Sequence, residues 1–158
     1  VIAGAPGLAP DDYKRFIAGN FGSAIVYGQT YDLLRHADVA LVTSGTATLE
    51  TALFRVPQVV CYYVNGGKLT SFVFNRFFHI PFISLVNLIA GKEVVKELFG
   101  GDFTSKKVFE ELKRIVEDPE YKRKMLEGYD SIIEDLGKPG ASARTAKLIV
   151  GSLLASEA

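Results

Sequence analysis

The sequence predicts an α/β fold in which a parallel sheet is covered by helices on both faces. Along the first half of the chain, short apolar runs alternate with segments of helical periodicity. The apolar runs are continuous, which is typical of strands buried on both sides. Regular alternation of strand and helix favours a doubly wound, Rossmann-like parallel sheet with a helical C-terminal extension.

The elements follow from this pattern in order. We expect strands at residues 1–3, 24–27, 39–42 and 58–63, and helices at residues 11–18, 31–37, 46–55 and 68–78. Three further helices should close the chain, at residues 105–117, 119–136 and 142–154. Asp118 and Pro119 suit the start of the second closing helix, and Gly137 suits its end. In the first closing helix, the apolar face should comprise Val108, Phe109, Leu112, Ile115 and Val116.

Composition narrows the class of partner. The 158 residues carry 18 basic and 18 acidic side chains, so no basic surface for nucleic acid is indicated. Cys61 is the single cysteine, which excludes an internal disulfide. The chain begins at Val1, inside a predicted strand, and we therefore expect a part of a longer protein.

The most informative segment is the turn of small residues that precedes the third long helix. Ser44, Gly45 and Thr46 follow an apolar strand, and such a turn presents backbone N–H groups at a helix N-terminus, where negative charge is favoured. Thr48 offers a further hydroxyl group. Glu50 lies one turn along the helix and would repel a phosphate, so a neutral ribose diol is its better partner. The pattern predicts a nucleotide site, and the alternative is an ordinary helix start.

Other polar and aromatic residues are weaker candidates. The side-chain amide of Asn87 can both donate to and accept from a sugar or phosphate, although it could instead satisfy a turn. Glu97 is a second candidate, with a solvated helix face as the alternative. On the helix at 68–78, Phe74 and Phe78 widen the apolar arc, which suits core packing, an interface or a lipid contact.

No metal site is expected. The sequence contains no Asp-x-Asp triplet, and its two histidines and one cysteine lie far apart. Helix dipole and backbone amides are the consistent means of neutralising a diphosphate, and no cofactor is required.

Four segments of the sequence carry a resemblance to a known family. The segments are Ser44-Gly45-Thr46-Ala47-Thr48-Leu49-Glu50, then Val56-Pro57-Gln58-Val59-Val60, and later Ile83-Ser84-Leu85-Val86-Asn87-Leu88-Ile89-Ala90-Gly91 with Glu93-Val94-Val95-Lys96-Glu97-Leu98. In this order they resemble the C-terminal, donor-binding half of lipid-A-disaccharide synthase, a two-domain glycosyltransferase. Lys96 and Phe99-Gly100-Gly101 depart from the pattern that we expect in the family.

The resemblance implies a function and partners. The family transfers 2,3-diacylglucosamine from its UDP donor to 2,3-diacylglucosamine 1-phosphate, a hexosyl transfer with inversion in lipid A biosynthesis. It implies that Ser44, Gly45, Thr46 and Thr48 meet the donor diphosphate, and that Glu50, Asn87 and Glu97 contact the donor. A general base would come from an N-terminal half outside this chain, so the fragment alone would be inactive.

The domain organisation follows. Residues 1–140 would form the UDP-donor domain, and the helix at 141–158 would pack on this domain or on the other half. The implied location is cytoplasmic, with peripheral contact to the inner membrane; oligomeric state and contact surface stay open. Two alternatives remain: half of another UDP-sugar transferase or epimerase, and a non-catalytic nucleotide-binding module.

Overall fold

The computed structural model describes residues 1–14, 16–17, 24–43, 45–63, 82–137 and 140–156. Within these ranges the strands are parallel and flanked by helices, so the predicted α/β class is confirmed. The strands are β1 (Ile2–Gly4), β2 (Ile25–Tyr27), β3 (Ala40–Val42), β4 (Gln58–Tyr62) and β5 (Lys96–Phe99). β1 pairs with β2, and β4 lies between β3 and β5 in a second sheet.

Of the seven helices in the described ranges, six lie near predicted positions, and the one at residues 85–90 was not predicted. They are α1 (Pro10–Lys14), α2 (Thr30–His36), α3 (Gly45–Leu53), α4 (Leu85–Ala90), α5 (Ser105–Glu117), α6 (Pro119–Leu136) and α7 (Ala141–Ser156), with a 3₁₀ turn at Gly100–Asp102. Asp118 accepts a hydrogen bond of 3.0 Å from the Tyr121 amide and caps α6, as predicted. Gly137 ends that helix with φ of 70°.

The hydrophobic core lies around the middle strand of the second sheet. Val59 and Val60 of β4 are fully buried, because helices cover both faces of this strand. Helix α6 supplies the largest buried side chains of the opposing layer, Met125, Tyr129 and Ile132. Burial of apolar area of this kind is the main source of stability, at about 25 cal/mol per Å².

One polar side chain crosses this core. Gln58 begins β4 and is fully buried. Its Nε2 donates to the Thr48 carbonyl oxygen at 2.9 Å and lies 3.4 Å from the Tyr129 hydroxyl. The side chain therefore ties β4 to α3 and α6, while its Oε1 has no hydrogen-bond partner among the described residues.

The sequence interpretation was wrong at three places. The periodicity missed β5 and placed Asn87 after an extended segment, whereas Asn87 lies inside α4. Glu97 lies on β5, so the alternative of a helix face does not apply. Phe109 and Val116 are exposed, at 66% and 68%, because α5 buries only the narrower stripe that contains Ile115. The helix expected at 68–78, with Phe74 and Phe78, lies outside the described residues.

Candidate functional site

The candidate site begins at the junction of β3 and α3. β3 ends at Val42, and α3 begins at Gly45. The first N–H groups of an α-helix have no partner within the helix, so Gly45 and Thr46 are placed to offer backbone donors. A Cβ on Gly45 would meet no other described group within 4 Å, so this helix start is open on that side. Ser44 lies outside the described residues.

Thr48 has a local role in α3. Its side chain is fully buried, and its hydroxyl donates to the Gly45 carbonyl oxygen at 2.6 Å. This bond uses the single proton of the hydroxyl within the first turn. Ligand contact by Thr48 stays a prediction, and the observed geometry gives it a part in shaping the turn.

Glu50 faces an open cleft. Its side chain is partly exposed and lines a cavity of about 430 Å³ together with residues 28–32 and Arg35. Residues 28–29 follow the carboxyl end of β2, and α3 follows the carboxyl end of β3. In open parallel sheets ligands bind at this edge. The carboxylate is therefore placed where a ligand can reach it, one turn from the helix start.

Tyr31 is the nearest partner of Glu50. Its hydroxyl donates to Glu50 Oε1 at 3.4 Å, and its ring stacks on Phe54 with centroids 5.2 Å apart. Tyr31 is nevertheless 52% exposed. Arg35 lies 5.9 Å from the Phe54 ring and forms an ion pair of 2.7 Å with Asp32. The cleft thus combines two carboxylates, one of them paired with Arg35, and an exposed aromatic side chain.

Sequence reasoning did not single out Tyr31, Asp32 or Arg35 as site residues. The signal that could have found them is general, because the loops after parallel strands meet at one edge of the fold. The segment after β2 carries an aromatic and two charged side chains within about one and a half helical turns. This rule places the segment after β2 beside the segment after β3, which contains Glu50.

Asn87 is held entirely by protein groups. It is fully buried, its Nδ2 donates to the Val95 carbonyl and to Glu97 at 2.8 Å each, and its Oδ1 accepts from two amides. Those amides belong to Val94, at 2.8 Å, and Val95, at 3.0 Å. The four hydrogen bonds fill the capacity of the amide group. They lock α4 onto the start of β5.

Glu97 extends this network to the loop before α4. Its carboxylate accepts from the backbone amides of Ile83 at 2.8 Å and Ser84 at 2.9 Å, and from the Ser84 hydroxyl at 2.7 Å. The Ser84 hydroxyl oxygen in turn accepts a hydrogen bond from the backbone N–H of Asn87 and so caps α4. Direct donor contact by Asn87 and Glu97 stays a prediction, and the geometry gives both side chains a positioning role.

Tyr62 lies at the carboxyl end of β4, beside this network. Its hydroxyl is buried and has no hydrogen-bond partner in the described ranges. Burial raises the pKa of the Tyr62 phenol, and the nearby Glu97 charge raises it further. Tyr62 therefore stays protonated at neutral pH and can act only as a neutral hydroxyl.

Metal ligands and membrane-spanning helices are both missing from the part of the chain that the structure describes. There, no group of three or more His, Cys, Asp or Glu side chains could hold a metal ion, and metal independence stays a prediction. In the same ranges, no helix combines the length and apolarity that crossing a bilayer requires.

Parallel strands joined by helices, with a cleft at their carboxyl ends, define a Rossmann-like domain. The family model for lipid-A-disaccharide synthetase matches residues 12–149. The chain therefore belongs to the lipid-A-disaccharide synthetase family, and the resemblance drawn from the sequence is confirmed.

Named relatives agree with this assignment. The chain is 36% identical over 150 residues to a lipid-A-disaccharide synthase from Gloeothece citriformis, with 90% of the chain and 38% of the relative covered. It is 37% identical over 125 residues to the same enzyme of Syntrophus aciditrophicus, with 79% of the chain and 32% of the relative covered. To a lipid-A-disaccharide synthase from Prochlorococcus marinus it is 40% identical over 116 residues, with 72% of the chain and 29% of the relative covered. The chain thus spans well under half the length of these relatives.

Proposed function

We propose that this chain is the donor-binding half of an inverting, metal-independent glycosyltransferase of lipid A biosynthesis. The donor would be UDP-2,3-diacylglucosamine, and the acceptor 2,3-diacylglucosamine 1-phosphate. The observation that carries the proposal is the placement of Glu50 in an open cleft, one helical turn from the start of α3. Family membership supports the choice of a UDP-sugar over other nucleotides.

The diphosphate would bind at the start of α3, with Ser44 at the turn. The backbone amides of Gly45 and Thr46, in the first turn of α3, and the positive end of the helix dipole favour two negative phosphates without a metal ion. Preorganised donors of this kind stabilise charge as it develops on the departing UDP, which is where this half would contribute to rate. Arg35 lies in the adjoining cleft but is paired with Asp32, so the helix start is left to neutralise the diphosphate.

The nucleoside would occupy the cleft between α2 and α3. Glu50 can accept hydrogen bonds from both ribose hydroxyls, which its position beyond the phosphates allows. The exposed surface of the Tyr31 ring offers the base a stacking partner, and Phe54 supports that ring from behind.

Asn87 and Glu97 would act on the site indirectly. Their mutual bond and their bonds to Ser84 and Val95 fix the loop before α4 at the carboxyl edge of the second sheet. A rigid loop at that edge helps to hold the donor sugar in one orientation.

The acceptor base would come from the other half of the enzyme, and the fragment alone would not turn over. One face of helix α7 carries exposed Ile149, Val150, Leu153 and Leu154, at 55–64% exposure. We assign this apolar face to contact with the other half, because an exposed row of this size marks an interaction surface. The enzyme would work in the cytoplasm at the surface of the inner membrane.

Calorimetry with UDP tests the proposal. The Glu50→Gln change removes the charged acceptor of the ribose, and we expect UDP affinity to fall about tenfold or more. Glu134→Gln on the exposed side of α6 is the matched control and should bind like the parent. Equal UDP affinity in the parent and Glu50→Gln would overturn the proposed site. Tight, specific binding of another nucleotide would favour a non-catalytic nucleotide-binding module instead.

A further inference from the structure

A second cavity lies away from the nucleotide cleft. It has a volume of about 510 Å³ and is bounded by the loop after α4 and by helices α5 and α6. Val94, on one wall, lies just before β5, so this cavity lies toward the amino end of that strand. The nucleotide cleft lies beyond the carboxyl ends of β2 and β3. The two cavities are therefore separate features of the fold.

The second cavity has an apolar floor and a basic rim. The floor includes Val94 and the buried Met125, and the rim carries Lys92, Arg114 and Lys124. Ser131 adds a neutral hydroxyl. Its volume falls within the range of about 300–1,000 Å³ that is typical of small-molecule sites.

The acidic residues of this cavity are already engaged. Glu93 pairs with Lys96 at 3.2 Å, and Glu127 pairs with Arg123. Lys124 pairs with Glu120 at 3.4 Å. Across residues 82–137, by contrast, Lys92 and Arg114 form no ion pair with a carboxylate. Two positive charges therefore remain available at one side of the cavity.

Arg114 is also held in place. Its guanidinium carbon lies 3.8 Å from the centroid of the Tyr121 ring, and the Tyr121 hydroxyl bonds to Glu111. A stacked guanidinium loses little further freedom when it binds a ligand, and its planar fork matches the geometry of a phosphate group. Arg114 is thus better prepared to bind an anion than a mobile surface lysine.

We propose that this second cavity binds a phosphate group through Arg114 and Lys92. Both a free phosphorylated metabolite and an anionic lipid headgroup carry this chemistry. The proposal is independent of the nucleotide site, because it rests on residues that do not line that cleft.

Inorganic phosphate is the probe for the first arm of the test. The full chain, labelled with ¹⁵N, is titrated while the amides of Gly128 and Ser131 report on this cavity and that of Gly45 reports on the nucleotide site. We expect saturable shifts at Gly128 and Ser131. A Lys92→Gln/Arg114→Gln variant should bind phosphate about tenfold more weakly. Lys113→Gln, an exposed lysine on α5 that pairs with Glu117, is the matched control and should match the parent.

The second arm distinguishes the two sources. The protein is sedimented with phosphatidylglycerol vesicles and, in parallel, with phosphatidylcholine vesicles. If the ligand is a lipid headgroup, the protein should bind the phosphatidylglycerol vesicles, and this binding should depend on Lys92 and Arg114. If the protein binds inorganic phosphate but does not sediment with the vesicles, the ligand is a free phosphorylated metabolite. The proposal is overturned if the Gly128 and Ser131 amides do not shift, or if the double variant binds phosphate as the parent does. Circular dichroism confirms that these surface variants are folded.

Discussion

The Asn87 side-chain amide donates a hydrogen bond of 2.8 Å to the Glu97 carboxylate and thereby joins α4 to β5. Both partners also bond to backbone groups, so the pair fixes two loops at once. Removing either side chain leaves buried donors or acceptors without partners, which costs more than the lost bond itself.

The first prediction concerns the stability that this pair provides. Asn87→Ala should lower the free energy of unfolding by about 3 kcal/mol, because two amides and a carbonyl lose their partner in the interior. Urea denaturation measures the change. The control is Glu93→Gln, an exposed ion-pair residue, which should change stability by less than about 0.5 kcal/mol. A loss below about 1 kcal/mol for Asn87→Ala would contradict the assigned role.

The second prediction tests whether Glu97 positions the site or contacts the nucleotide directly. If Glu97 acts through the loop before α4, the folded Glu97→Gln variant should keep UDP affinity within about threefold of the parent, whereas Glu50→Gln should lose about tenfold. Calorimetry below the unfolding temperature of each variant gives both values. A loss for Glu97→Gln as large as that for Glu50→Gln would instead place Glu97 in contact with the nucleotide.

The third prediction concerns the aromatic wall of the nucleotide cleft. Tyr31→Ala should weaken UDP binding about tenfold, because it removes the stacking surface beside Glu50. Tyr31→Phe should retain most of the affinity, since the hydroxyl lies 3.4 Å from Glu50 and contributes little. Phe109→Ala removes an exposed aromatic ring on α5 and serves as the control. Unchanged affinity in Tyr31→Ala would remove Tyr31 from the site.

The fourth prediction concerns close packing at Gly128. A Cβ there would lie 2.5 Å from Val94 Cγ1, a stiff side chain that cannot swing away. Gly128→Ala should therefore destabilise the fold by about 1–3 kcal/mol, despite the better helix propensity of alanine. In α7, a Cβ on Gly151 would meet no other described group, so Gly151→Ala should leave stability unchanged or slightly higher. Thermal or urea unfolding compares the two variants, and equal effects would contradict the close contact between α6 and Val94.

The fifth prediction concerns the lone thiol. Burial raises the pKa of Cys61, so its reactive thiolate is suppressed in the folded protein at neutral and mildly alkaline pH. Because the folded pKa is the higher one, this group adds stability below the ordinary thiol range, and that contribution is lost as pH rises through the folded value. A thiol reagent at pH 8 should react only at the rate of unfolding. Rapid stoichiometric labelling of the native chain would contradict the burial of Cys61.

Much of the fold could be predicted from the sequence. Strands β3 and β4 have continuous apolar runs, although only β4 is buried along most of its length. Asp118-Pro119 marks the start of α6 with chemistry that is purely local. β5 was missed because Lys96 and Glu97 break its apolar pattern. Their side chains are only partly buried, and the reason for a glutamate there is a hydrogen-bond network that no local pattern reveals.

Part of the local structure at the candidate site could also be predicted from the sequence. Glu50 and the turn before α3 follow from strand, small residues and helix in sequence. The contribution of Tyr31 depends on two βα units lying side by side, a relation that spacing along one chain does not encode. Likewise Asn87 looks like a ligand contact in sequence, whereas its four internal bonds depend on where Val94 and Val95 lie.

The most direct test of the central proposal is a crystal structure of the chain with UDP bound. We expect the diphosphate on the backbone amides of Gly45 and Thr46, with the ribose hydroxyls hydrogen-bonded to the Glu50 carboxylate. A complex in which UDP occupies another surface, or in which Glu50 makes no contact with the ribose, would contradict the proposed function of this cleft.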